Sequence, residues 1–122
     1  MKEFISIDNK VIRKDEIEYI SMEEDKIKIY VHERDFHIDA IANSEQKEKL
    51  IDILVPDFLI IGDRDSTALI NKEHIRYIRQ RIDKTIDIDL PNSTVFLIYD
   101  TEEDVNINLR AITKILNSEE IC

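Results

Sequence analysis

One stretch of this chain occurs twice. Ile12-Arg13-Lys14-Asp15-Glu16-Ile17-Glu18-Tyr19-Ile20 returns as Ile70-Asn71-Lys72-Glu73-His74-Ile75-Arg76-Tyr77-Ile78, an offset of 58 residues. Repetition constrains architecture more than composition does, because each copy is expected to form the same local structure. The match extends outward. Ile27, Ile29 and Val31 correspond to Ile86, Ile88 and Leu90, and Phe36 and Ile38 to Val95 and Leu97, all at an offset of 59. Leu50 and Ile53 match Leu109 and Ile112. At the front, Phe4-Ile5-Ser6-Ile7 matches Phe58-Leu59-Ile60-Ile61 at an offset of 54, so the second copy has four extra residues between its first two strands.

Each copy reads as strands followed by one helix. Ile5/Ile7 and Ile27/Ile29/Val31 alternate with polar residues, the period of a half-buried strand. The branched Cβ of isoleucine favours the pleated surface. Asp8-Asn9 can supply a tight hairpin turn, since Asn tolerates left-handed backbone. Ile17 to Met22 breaks the alternation and predicts a bulge or short turn near Lys14-Asp15. Phe36, Ile38 and Ala40 form the last strand of the first copy. Ser44 is the expected N-cap of a helix carrying Leu50, Ile51, Ile53 and Leu54. In the second copy Pro91-Asn92-Ser93 is the turn. Thr101 followed by Glu102, Glu103 and Asp104 starts a helix, with carboxylates where the dipole favours them. Its stripe is Leu109, Ile112 and Leu116, with Val105 and Ile115 close by. Pro56 ends the first helix at the seam.

The expected fold is α+β. Two tandem homologous units, residues 1–56 and 57–122, each form a small antiparallel β-meander with a C-terminal α-helix and pack as one pseudo-symmetric domain. Halves of this size bury little surface alone, so a shared core is expected. In outline, a strand meander closed by a helix resembles small bacterial pleckstrin-homology-like modules; no motif accompanies the outline, and no function is carried across from it.

The net charge is −10. Each half contributes −5: 9 basic and 14 acidic groups in residues 1–56, 8 and 13 in residues 57–122. An acidic surface repels phosphate backbones, so direct nucleic-acid binding is expected to be disfavoured. No apolar run approaches membrane-spanning length and no signal-peptide pattern opens the chain. The single Cys, Cys122, rules out an intrachain disulfide. A cytoplasmic location is expected, and the wealth of Ile, Lys, Glu and Asp points to a low-GC bacterium or one of its phages.

The copies differ most in two places. Residues 15–25 carry Asp15, Glu16, Glu18, Glu23, Glu24 and Asp25 with no base, a charge of −6. The equivalent residues 74–84 carry Arg76, Arg79, Arg81 and Lys84 against Asp83, a charge of +3. Opposite charges on equivalent surfaces suit mutual contact, within the chain or head to tail between chains. Three arginines also suit an anion. The second difference is the insertion Gly62-Asp63-Arg64-Asp65-Ser66-Thr67, a hairpin turn or ligand loop holding the only Gly. Asp63 and Asp65 alternate as calcium ligands do, but no further acid follows at EF-hand spacing.

Catalytic and cofactor signatures are missing. There is no glycine-rich phosphate loop, no zinc spacing, no nucleophile elbow and no HExxH. His32 and His37 flank a turn with no metal-ligand pattern. The sequence therefore predicts no enzyme, no catalytic residue, no cofactor and no metal. It predicts a non-enzymatic protein-protein interaction module with a protein partner, self-association included. Two alternatives are an acidic inhibitor, phage-encoded, of a nucleic-acid-binding host or defence protein, and a protein that binds an anion or nucleotide.

Overall fold

The computed structural model describes residues 3–118 of the chain. Cys122 lies outside the described residues. The chain opens with a hairpin of β1 (Phe4–Ile7) and β2 (Lys10–Arg13), turned by Asp8 and Asn9, both at positive φ. A single 3-10 turn at Lys14–Glu16 redirects the chain into β3 (Ile17–Met22), β4 (Lys26–Val31) and β5 (Ile38–Ile41). Helix α1 (Ser44–Leu54) follows. Next come β6 (Phe58–Gly62), β7 (Thr67–Asn71), a second 3-10 turn at Lys72–His74, then β8 (Tyr77–Gln80), β9 (Thr85–Asp89) and β10 (Thr94–Ile98). Helix α2 (Glu102–Ile115) ends the described fold.

The expectation of two tandem meander-and-helix units is corrected here. Among the described residues the molecule is mostly β, with 10 strands in three antiparallel sheets and two helices. The order of elements recurs between the halves, but the sheets do not. A five-stranded sheet runs β5-β4-β3-β7-β6 and crosses the seam, pairing Tyr19 with Ile70 and Ile20 with Leu69. The β1–β2 hairpin stands apart, and β10-β9-β8 form a third sheet.

The reason lies in the second faces of the hairpins. In β1–β2 only one face is covered: Ile5, Ile7 and Ile12 are buried, while Phe4, Ser6, Val11 and Arg13 face solvent. At the equivalent places β6–β7 has Phe58, Ile60, Leu69 and Asn71, all buried or half-buried. A continuous apolar run marks a strand covered on both sides. Phe58 and Leu69 pack into a first core with Ile17, Ile20, Ile27, Ile29 and Leu54. Leu59, Ile61 and Ile70, on the opposite face, enter a second core with Ile86, Ile88, Val95, Leu97, Val105 and Ile112. The five-stranded sheet is thus a partition. The first hairpin and α1 cover one side, and the third sheet and α2 cover the other.

Local punctuation follows sequence chemistry with small shifts. Helix α1 is capped by Asn43 rather than Ser44: Asn43 Oδ1 accepts from the Gln46 backbone, and the Gln46 side chain accepts from the Asn43 backbone, a full capping box. Helix α2 is capped by Thr101, whose Oγ1 accepts from Asp104 N. Of its stripe, Val105 and Ile112 are fully buried, Leu109 and Leu116 are half-buried, and Ile115 is exposed. β5 begins at Ile38, which leaves Phe36 outside the strand and exposed. Among the described residues no helix is long and apolar enough to cross a membrane.

Candidate functional site

The third sheet turns one face inward and one outward. Ile78, Ile86, Ile88, Val95 and Leu97 point to α2. Strand alternation sends their neighbours the other way. Register places these outward residues in three rows: Tyr77–Asp89–Thr94, then Arg79–Asp87–Phe96, then Arg81–Thr85–Ile98. Among the described residues none on this face belongs to either hydrophobic core. Tyr77 is 53% exposed and Phe96 56%, too much for rings that serve only the core. Ile98 is partly exposed, and Ile82 in the adjoining turn is fully so.

The charges on this face are organised around two carboxylates. Arg79 Nη2 and Arg81 Nη1 both lie 3.1 Å from Asp87 Oδ2. Arg76 Nε lies 3.7 Å from Asp89 Oδ2. The hydrogen bond to Asp87 raises the Arg81 pKa above its ordinary value. The two guanidiniums lie over Asp87, which accounts for a buried carboxylate on an open face. Its other oxygen, Oδ1, is buried without a donor among the described residues. Between residues 76 and 89, Arg76, Arg79, Arg81 and Lys84 stand against Asp83, Asp87 and Asp89, leaving +1. The face is locally cationic on a chain of net charge −10.

The acidic segment is not the partner of these arginines. Glu18 is buried at 1% exposure. Its Oε1 accepts from Asn92 N and Ser93 Oγ, and its Oε2 pairs with His32 Nδ1 at 3.0 Å. Glu18 therefore ties β3 to the β9–β10 turn and to the loop after β4. The hydrogen bond to Glu18 raises the His32 pKa. The histidine that His32 meets is His74, with ring centroids 5.4 Å apart, not His37, which pairs with Asp39. His74 Nε2 lies 2.7 Å from the carbonyl of Asp15. Glu16 lends its backbone carbonyl to His32 N. Glu23 pairs with Lys28, and the carbonyls of Glu23 and Glu24 accept from Lys47. Asp25 is exposed, and its carbonyl accepts from Ala42 N.

The insertion is a structural clamp. Asp63 Oδ1 accepts from Asp65 N and Ser66 N, and Oδ2 accepts from Ile98 N. Its oxygens are thereby committed to backbone. Arg64 pairs with Asp65 and Asp100. Gly62 does not adopt positive φ. Its carbonyl accepts from Tyr99 Oη, and burial pushes the Tyr99 phenol up to about 12. The first hairpin has a counterpart, where Asp8 Oδ2 accepts from Ile41 N. A cleft of about 320 Å³ lies near the seam, lined by Glu3, Lys14, Asp57 and Glu73 among others. Its one lysine is occupied: Lys14 Nζ binds Asp57 Oδ2 at 2.8 Å and the Ile53 carbonyl at 3.2 Å. Among the described residues no cluster of His, Cys, Asp or Glu is arranged to hold a metal.

No protein-family model matches the chain, and none of the curated proteins does. A solved structure does match: the LytTr DNA-binding domain of a methyl-accepting/DNA response regulator from Bacillus cereus. The TM-score is 0.65 at 14% identity, covering 97% of this chain and all of that one. This chain is similar in fold to a LytTr DNA-binding domain. The likeness corrects the partner expectation. Net charge disfavoured nucleic acid, yet the whole chain follows a fold on which a DNA-binding domain is built, so a sum over all residues does not decide the partner class.

Sequence reasoning singled out Arg76, Arg79 and Arg81 but not the residues that complete their face. Asp87 and Asp89 alternate with Ile86 and Ile88, and Phe96 alternates with Val95 and Leu97. That period places them on the outward side. The signal was present and was read only for its buried half.

Proposed function

We propose that this chain is a nucleic-acid-binding module and that its working surface is the open face of β8–β10. The observation that carries the reading is the full-length fold likeness to a DNA-binding domain. The site agrees with it: two arginines and two exposed rings stand on one sheet face, with Arg76 paired to Asp89 at its edge. Guanidinium matches phosphate in geometry and charge. The acidic remainder of the surface repels phosphate, and so orients a nucleic acid onto the one face that does not. The Asp87 carboxylate holds Arg79 and Arg81 in place and keeps their net charge low.

The test is a fluorescence-anisotropy titration of labelled DNA at low salt, with duplex and single strand both offered. Binding is expected, and R79Q/R81Q, which removes the charge but keeps an amide donor on each side chain for Asp87, is expected to weaken it several-fold. No binding to either form at low salt would overturn the reading.

A second reading is a self-associating protein-interaction module. The observation favouring it is the apolar content of the same face, Tyr77, Phe96 and Ile98, with Ile82 beside it. Exposed apolar patches of this kind mark interaction surfaces. It predicts a light-scattering mass well above 14.4 kDa that falls in Phe96→Ser.

A further inference from the structure

The nucleic acid that this face suits is single-stranded. Duplex binding depends on many phosphate contacts by Lys and Arg, and log affinity falls with salt in proportion to their number. Here the cations are few and largely neutralised. Arg79 and Arg81 share one carboxylate oxygen, and Arg76 leans on Asp89. Such a face has little charge to spend on two backbones. It has rings instead. Tyr77 and Phe96 are each more than half exposed, and they lie on the same face of the sheet, on the strands that flank β9. Two strand spacings and one two-residue step separate them by about 12 Å, so each ring is free to take its own base. Stacking on an aromatic ring stabilises a bound base by about 1–3 kcal/mol and does not depend on net charge. In a duplex the base faces are already stacked, and flat exposed rings gain nothing from them.

We infer that the open face of β8–β10 is a stacking platform for single-stranded DNA or RNA, with Tyr77 and Phe96 holding bases and Arg79 and Arg81 beside the backbone. This inference rests on the nucleic-acid reading above and narrows it.

The test compares a labelled mixed-sequence single strand of about 16 nucleotides, the upper end of single-strand site sizes, with the duplex of the same sequence. Tighter binding of the single strand is expected. Tyr77→Ala and Phe96→Ala are each expected to weaken it by about 10-fold. Tyr77→Phe and Phe96→Tyr keep a ring and are expected to retain binding, which separates stacking from misfolding. The salt slope is expected to be no steeper than about −2, the value for three single-strand phosphate contacts. Duplex binding as tight as single-strand binding would overturn this inference and leave the broader reading standing. Binding that survives both alanine variants would do the same. No binding to either form would overturn both. A change of mass without nucleic-acid binding would reassign the face to a protein partner.

Discussion

Glu18 shows how much one residue can tie together. A carboxylate in a core is costly unless donors meet it, and Glu18 draws donors from Asn92, Ser93 and His32. The arrangement makes stability depend on pH through His32. Its pKa in the fold is raised above the ordinary 6.5, first by the hydrogen bond to Glu18. A raised pKa stabilises the fold fully below the unfolded value and loses that contribution as pH rises through the folded value. The urea midpoint is therefore expected to fall between pH 5.5 and pH 8, and to fall less in His32→Gln. An unchanged slope in that variant would count against the assignment. Lys14 and Asp57 give a second asymmetry. Lys14 is almost wholly buried, whereas Asp57 keeps a third of its side chain in water. Removing the acid strands a buried ammonium, at a cost of about 3 kcal/mol; removing the lysine leaves an acid that solvent can reach. Asp57→Ala is expected to lower the denaturation midpoint more than Lys14→Met does. None of these ties was legible in the sequence. Glu18 reads as one of six acids on a solvated strand, and its donors lie 14 to 75 residues away. Asp63 was visible, but as an alternating acid rather than a backbone clamp.

At the scale of elements, the strands and helices were written locally and their pairing was not. Ile27, Ile29 and Val31 alternate along β4, Asp8-Asn9 turns the first hairpin, and Thr101 caps α2. Repeated sequence suggested repeated sheets, and that step failed because pairing depends on which strands have a second apolar face. On the outward face Ser6 stands where β6 has Ile60, and the exposed Arg13 where β7 has the buried Asn71. That difference leaves β1–β2 as a separate hairpin and draws β6–β7 into the central sheet. Ser6 and Arg13 also break up the exposed Phe4 and Val11 on that face, and the Arg13 guanidinium lies 4.7 Å from the centre of the Phe4 ring. Ser6→Ile combined with Arg13→Ala is expected to raise the average mass in light scattering or shorten the time to aggregation. A variant that stays as monodisperse as the parent would show that polarity here is not protective.

The whole molecule carries a net charge of −10, and one sheet face departs from that sign. Both halves contribute equally to −10, yet residues 76–89 sum to +1. The charge reversal was legible, but its use was not. The arginines find their acids on β9 of their own sheet rather than on the equivalent segment of the first half. Only the register of β8 on β9 on β10 shows that Tyr77, Arg79 and Phe96 share a surface. The most direct test of that surface is a map of amide chemical-shift changes as a single-stranded oligonucleotide is titrated into labelled protein. The largest shifts are expected along Tyr77, Arg79, Arg81, Phe96 and Ile98, with α1 and the β1–β2 hairpin unmoved. Shifts concentrated on the hairpin or α1, or none at saturating oligonucleotide, would contradict the account.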